Sequence, residues 1–72
     1  MAFAAKGDNN RAIADYGEAI KLNPLHVEAY NNRGLAYKAL GRRADAIADF
    51  RKSQSIDATD QTSRDELKRL GA

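Results

Sequence analysis

Cysteine is missing from this sequence, and histidine occurs only once among its 72 residues, as His26. Without cysteine the chain has no disulfide bond and no thiolate ligand, and a single histidine excludes a multi-histidine metal centre. No serine or cysteine in a recognisable nucleophile motif accompanies His26, so the Ser–His type of hydrolase site is not expected either. We therefore expect a protein that is not an enzyme and that carries no catalytic residue, no metal and no cofactor.

Long apolar runs are also missing. No stretch approaches the ~18 consecutive apolar residues of a membrane-spanning helix, so no membrane insertion is expected. Residues 1–26 contain neither an apolar core nor a small-residue cleavage signal, so no secretory peptide is visible. The compartment stays open, with the cytoplasm as the default expectation.

An excess of one charge is missing as well. The sequence has 12 basic and 10 acidic residues, for a net charge of +2 at pH 7. The charges are interspersed, whereas a nucleic-acid surface needs basic residues concentrated on one face. A small basic cluster, Arg42, Arg43, Arg51 and Lys52, is better explained by solubility or by the rim of a protein contact. No nucleic acid is therefore expected as a partner.

The strongest positive signal is an internal repeat. The segment AIADY at residues 12–16 recurs 34 positions later as AIADF at residues 46–50, and Gly7 recurs as Gly41. A fixed period of this length indicates stacked supersecondary units that bury their apolar faces against one another. The repeat also duplicates Asp15 as Asp49. Together with Glu18 and Asp45, these acids are interpreted as a solvated face rather than as paired catalytic or metal-binding carboxylates.

Apolar spacing and the positions of glycine and proline predict the helices. We expect a helix over residues 1–6 that ends at Gly7. We expect further helices over about 11–22, 26–40, 43–56 and 61–70. Asn9 or Asn10 is expected to cap the helix over 11–22. In the last helix, Ser63 and Glu66 form a capping box if that helix begins late.

A short turn around residues 40–42 requires the two central helices to pair in an antiparallel hairpin. If the hairpin is centred on Leu40, Gly34 lies opposite Ala46 and Tyr30 lies opposite Phe50. Small side chains then face each other, and aromatic side chains interlock beside them.

These residues stand where the tetratricopeptide repeat (TPR) family carries its characteristic packing positions, so the sequence resembles that family. The resemblance rests on Tyr16, Pro24, Tyr30, Gly34, Tyr37, Ala46 and Phe50. It implies an all-α fold of antiparallel helical hairpins in a right-handed superhelical stack, with about one and a half repeats and a C-terminal capping helix. Residues 1–26 are then a truncated first repeat, 27–60 a complete repeat and 61–72 the capping helix.

Two residues depart from the family pattern. Arg33 stands where the family usually has leucine, and Ser53 replaces a small alanine. We expect Arg33 to bury its aliphatic stem and to keep its charged head in water.

The resemblance also implies a function, because TPR proteins bind a peptide or helix of a partner protein in a concave groove. The groove positions implied here are Glu28, Asn31, Asn32, Leu35, Lys38 and Ala39. Asparagine is a poor helix-interior residue. Asn31 and Asn32 therefore either form hydrogen bonds with a bound peptide or are simply solvated surface amides. A carboxylate-clamp site is not expected, since Thr62 and Glu66 stand where such a clamp needs basic residues.

The alternative function is structural self-association. Ile13, Tyr16 and Ile20 form an apolar stripe whose partner helix is only half present in this sequence. Each such side chain is worth about 1.5–3 kcal/mol when fully buried, so its exposure is costly in a small domain. We therefore hypothesise a homodimer packed through this stripe, or a domain-swapped oligomer that exchanges elements through a hinge near Gly41.

Overall fold

Four helices make up the computed structural model, which describes residues 6–72. They are α1 (Lys6–Leu22), α2 (Val27–Ala39), α3 (Arg43–Ile56) and α4 (Gln61–Arg69). Helix α2 packs against α1 and α3, and α3 also packs against α4. No strand occurs within residues 6–72, so the predicted all-α fold of helical hairpins is confirmed. The helical segment expected over residues 1–6 lies outside the described residues, apart from Lys6.

The central hairpin of α2 and α3 has the bounds that the sequence predicts. His26 caps α2, because its Nδ1 accepts a hydrogen bond of 3.2 Å from the backbone N–H of Ala29. The turn to α3 places Gly41 at φ 77°, in the left-handed region that glycine adopts without strain. The backbone N–H of Arg42 then bonds to the carbonyl of Tyr37 at 2.9 Å, which closes the turn.

The centre of this hairpin is a close contact between Gly34 and Phe50. A Cβ added to Gly34 would lie 2.9 Å from two ring carbons of Phe50, whose side chain is 0% exposed. The ring of Phe50 supplies the atoms nearest to Gly34, and the opposition of Gly34 with Ala46 stays a prediction. The connection between the two helices spans residues 40–42, as the sequence predicts.

Helix α1 begins earlier than the sequence predicts. It is continuous from Lys6 to Leu22, so Gly7 does not end a helix and neither Asn9 nor Asn10 is an N-cap. A glycine inside a helix costs only about 1 kcal/mol relative to alanine, which the hydrogen bonds and contacts of a long helix can offset. The predicted end at Leu22, ahead of Pro24, is confirmed.

Helix α4 is capped by Asp60, whose carboxylate accepts a hydrogen bond of 2.9 Å from the backbone N–H of Ser63. The helix thus begins ahead of Ser63, and the capping box of Ser63 with Glu66 does not form. Both of these polar residues are buried instead. Gln54 of α3 donates a hydrogen bond of 2.7 Å to the hydroxyl of Ser63, which fixes α4 against the hairpin.

Candidate functional site

A concave depression of ≈ 390 Å³ lies between α2 and the beginning of α4. Its lining residues are Val27, Glu28, Asn31, Asn32, Leu35, Asp60 and Thr62. Four of the six residues predicted for the groove therefore come together here. Lys38 and Ala39, the other two, lie further along α2 and are exposed.

A second depression of ≈ 260 Å³ adjoins the first, between α1 and α2. Its lining residues are Asn9, Ala12, Tyr16, Asn32, Leu35 and Ala36. Asn32 and Leu35 line both depressions, so they form the ridge of one continuous surface. Leu35 is 39% exposed, which places an accessible apolar side chain on the ridge.

Asn31 is not a solvated surface amide, because it is only 6% exposed. Its Nδ2 donates a hydrogen bond of 2.8 Å to Oδ2 of Asp60, the same oxygen that caps α4. Its Oδ1 is buried and has no hydrogen-bond partner among the residues that the structure describes. Asn31 thus joins α2 to α4 and leaves one acceptor unsatisfied.

The pKa of Asp60 reflects these contacts. Burial raises the pKa of this carboxyl group, but the hydrogen bonds from Ser63 and Asn31 outweigh that effect, so the pKa lies below its ordinary value of 3.8. The carboxylate is therefore ionised at neutral pH, and one negative charge lies in the wall of the depression.

Lys38 is also engaged within the chain. Its Nζ lies 2.6 Å from Oε1 of Glu66, whose side chain is only 10% exposed. Arg69 approaches the other carboxylate oxygen of Glu66 at 3.5 Å. Glu66 is therefore part of the contact between α2 and α4, and Lys38 does not present an unpaired positive charge.

The structure corrects two expectations at the opposite face of α2. Arg33 does not keep its head in water: it donates two hydrogen bonds, of 2.8 and 2.7 Å, to the carboxylate of Asp49. The rings of Tyr30 and Tyr37 each lie 5.8 Å from its guanidinium. The hydrogen bonds that Arg33 donates to Asp49 raise the pKa of Arg33, although partial burial lowers it. Asp49, at 5% exposure, is therefore not on a solvated face, because the facing helix supplies a partner.

The other three acidic residues do lie at the surface. Asp15 and Glu18 are exposed, and the side chain of Asp45 is 48% exposed. Glu18 pairs with Lys21 at 3.7 Å and Asp45 with Arg42 at 2.9 Å. No group of three histidine or acidic side chains within residues 6–72 has an arrangement that could hold a metal ion.

The basic cluster is exposed, as a contact rim or a solubilising surface requires. Arg42 lies 4.9 Å from the ring centre of Tyr37, and Arg43 donates a hydrogen bond to the carbonyl of Leu70. These two arginines therefore support the turn and the end of α4. No helix in the part of the chain that the structure describes is long and apolar enough to cross a membrane.

The stripe predicted for self-association is half-buried at each of its residues, Ile13, Tyr16 and Ile20. Within the part of the chain that the structure describes, the most exposed large apolar residues are instead Leu22 and Leu25, at 88% and 67%. Sequence reasoning missed this pair. The available signal was a leucine on either side of the Asn23–Pro24 turn, since a turn leaves little for a side chain to pack against.

Two family models match the sequence. A model described as "TPR repeat" matches residues 2–41, and one described as "Tetratricopeptide repeat" matches residues 27–60. The first spans more than half of the chain.

The chain is also similar to parts of longer proteins. The Small glutamine-rich tetratricopeptide repeat-containing protein 2 of Mycosarcoma maydis is 39% identical over 56 residues, which are 78% of this chain and 16% of that protein. The Hsp70-Hsp90 organizing protein 3 of Arabidopsis thaliana is 41% identical over 46 residues, 64% of this chain and 8% of that protein. The UDP-N-acetylglucosamine--peptide N-acetylglucosaminyltransferase of Giardia intestinalis is 38% identical over 53 residues, 74% of this chain and 4% of that enzyme. The chain therefore spans a small part of the length of each.

Proposed function

The chain belongs to the tetratricopeptide repeat family, whose members are protein-interaction scaffolds, and on that premise we propose that the surface of α2 binds a segment of a partner protein. The bound segment is an extended or helical peptide. It lies across the groove residues, Glu28, Asn31, Asn32, Leu35, Lys38 and Ala39, and takes its main contacts in the depression beside α4. The chain contributes this one surface, and longer arrays of the family combine several such surfaces for avidity.

The observation that carries the proposal is the position of Leu35. This exposed apolar side chain lies on the ridge between two depressions, with the amide of Asn32 in both linings. Binding sites for peptides and small ligands combine apolar area with a few polar groups that fix orientation. Leu35 supplies the apolar area, and Asn32 and Glu28 supply polar groups beside it.

Asn31 and Lys38 have a different role in this proposal. Both bond to residues at α4, so they hold the two walls of the depression in place. A variant at either residue is expected to lower stability as well as binding. Substitutions at Leu35 separate the two effects, because this side chain forms part of the exposed surface.

Replacing Leu35 with aspartate is expected to weaken peptide binding about tenfold to a hundredfold. The change removes an apolar contact worth about 1.5–3 kcal/mol, and each 1.4 kcal/mol is tenfold in affinity. The ligand is a peptide selected on the wild-type chain from a random display library, and its Kd is measured by fluorescence anisotropy. The matched control is Leu22→Asp, the same substitution at another exposed leucine.

For the control we expect an unchanged Kd, and for both variants an unchanged helical circular dichroism spectrum. Equal loss of affinity in Leu35→Asp and Leu22→Asp, or none in either, contradicts binding at α2.

Self-association is the second candidate function, and the exposure of Leu22 and Leu25 favours it. Two large apolar residues at one connector are costly to leave in water, and a second copy of the chain could cover them together with the stripe on α1. In this case sedimentation equilibrium of the wild type gives a mass that rises with concentration. The double variant Leu22→Asp/Leu25→Asp stays monomeric, and Leu35→Asp behaves as the wild type.

A monomer mass for the wild type at every concentration contradicts self-association and leaves the groove as the remaining candidate. Because Leu35→Asp is used in both experiments, with opposite expected results, the two functions are distinguished.

A further inference from the structure

We propose that the depression beside α4 selects a positively charged side chain, a lysine or an arginine, on the bound segment. The inference rests on the proposed function and names the class of partner that the site takes. Two of the seven lining residues, Glu28 and Asp60, carry carboxylates, and no lining residue is basic. A cationic group in this position is attracted by both carboxylates, whereas an acidic group is repelled by them.

A second and independent observation comes from Asn31. This residue lines the depression, and its buried Oδ1 has no hydrogen-bond partner among residues 6–72. Its orientation is fixed, because Nδ2 donates to Asp60 and a flipped amide would set Oδ1 against that carboxylate. Buried polar atoms without a partner are uncommon in folded proteins. The unsatisfied atom is an acceptor, so the group that completes the site is a donor.

The basic residue among the predicted groove positions does not change this balance. Lys38, the one basic residue among the predicted groove positions, lies 2.6 Å from the carboxylate of Glu66. Its charge is paired with Glu66 within the chain, so Lys38 is not an unpaired cation in the groove.

Lysine and arginine side chains suit both the apolar and the polar parts of the lining. Each has an aliphatic stem, which can lie along Val27 and Leu35, and a charged head that only donates hydrogen bonds. The acceptors that the lining offers to that head are the carboxylates of Glu28 and Asp60.

The test compares four peptides in nuclear magnetic resonance titrations of the whole chain. They have equal length and blocked ends, and they alternate serine with lysine, arginine, norleucine or glutamate. We expect the lysine and arginine peptides to shift the resonances of Glu28, Asn32 and the Asn31 side-chain amide. The norleucine peptide, which lacks the charge, is expected to bind about fivefold or more weakly, and added salt is expected to weaken only the cationic peptides.

A matched pair of variants tests the carboxylate directly. Glu28→Gln is expected to weaken the lysine peptide about threefold to fivefold, as for a solvent-exposed ion pair. Glu18→Gln removes the same charge from an exposed position on α1, outside both depressions, and is expected to leave the affinity unchanged.

Three results overturn the inference. The first is a norleucine or glutamate peptide that binds in the depression as tightly as the lysine peptide; this result leaves the proposed groove function standing. The second is an equal loss of affinity in Glu28→Gln and Glu18→Gln. The third is the absence of any change in the chemical shifts of α2 with all four peptides. The groove function is then tested only by the display-selected peptide and Leu35→Asp.

Discussion

Replacing Gly34 with valine is expected to destabilise the protein by about 3 kcal/mol, measured as the free energy of unfolding in urea followed by circular dichroism. A Cβ at this position lies 2.9 Å from two ring carbons of Phe50 and 3.2 Å from a third. The ring is fully buried, so it cannot move aside without disturbing the core. Overpacking of this kind costs typically about 1–3 kcal/mol, and the two further carbons of valine place this variant at the upper end.

Gly17→Val is the control for this prediction. Its added Cβ would meet only the end of the Arg33 side chain, at 3.9 Å, which is an ordinary contact. The residue also lies inside a helix, where replacing glycine with valine is favourable by only a few tenths of a kcal/mol, about 0.3–0.5 kcal/mol. We expect an effect within about 0.5 kcal/mol of zero. Equal stability of Gly34→Val and the wild type would contradict the close approach of α2 and α3.

The second large effect is expected at the ion pair of Arg33 and Asp49. Asp49→Ala leaves the guanidinium of Arg33 partly buried between two aromatic rings without a carboxylate, and Arg33→Leu leaves the buried carboxylate without a donor. Removing one partner of a fully buried pair costs about 3–5 kcal/mol. The Arg33 side chain is 23% exposed, so we expect about 2–3 kcal/mol for each single variant.

The double variant is expected to lose less than the sum of the two single variants. In Arg33→Leu/Asp49→Ala neither charge is left unpaired, so a double-mutant cycle in urea gives a coupling energy of about 1.5–3 kcal/mol. The exposed pair of Arg42 and Asp45 is the control, with an expected coupling of at most ~0.5 kcal/mol. Similar coupling in the two cycles would mean that Arg33 and Asp49 behave as an ordinary surface pair.

The hairpin of α2 and α3 was predictable because its signals are local. Gly41 ends one helix and permits the turn, and Pro24 ends the helix before it. Local signals failed at Gly7, where a glycine does not stop the helix. A glycine marks the end of a helix only if the chain turns there, and the residue type alone does not decide this.

The pairing of Arg33 with Asp49 was not predictable from repeat periodicity. Asp49 occupies the same repeat position as Asp15, which is exposed, so the two carboxylates look alike in the sequence. The difference lies in what the neighbouring helix supplies. One signal was available: an arginine in place of leucine at a packing position needs an acidic partner nearby.

The residues that α2 contributes to the candidate site were predictable, but the contacts between α2 and α4 were not. Asn31 and Lys38 were assigned to the groove by family position, and the structure uses both to hold α4 through Asp60 and Glu66. Residues 61–72 share no identity with residues 27–38 at the repeat spacing. No pattern in the sequence therefore indicated which side chains of α4 would face α2.

The most direct test of binding at α2 is a chemical-shift map of the whole chain with the display-selected peptide. We predict that the largest shifts fall on Val27, Glu28, Asn32 and Leu35, and that they disappear in Leu35→Asp. The largest shifts falling instead on the exposed residues of α3, such as Arg51, Lys52 and Ser55, or on Leu22 and Leu25, would contradict binding at α2.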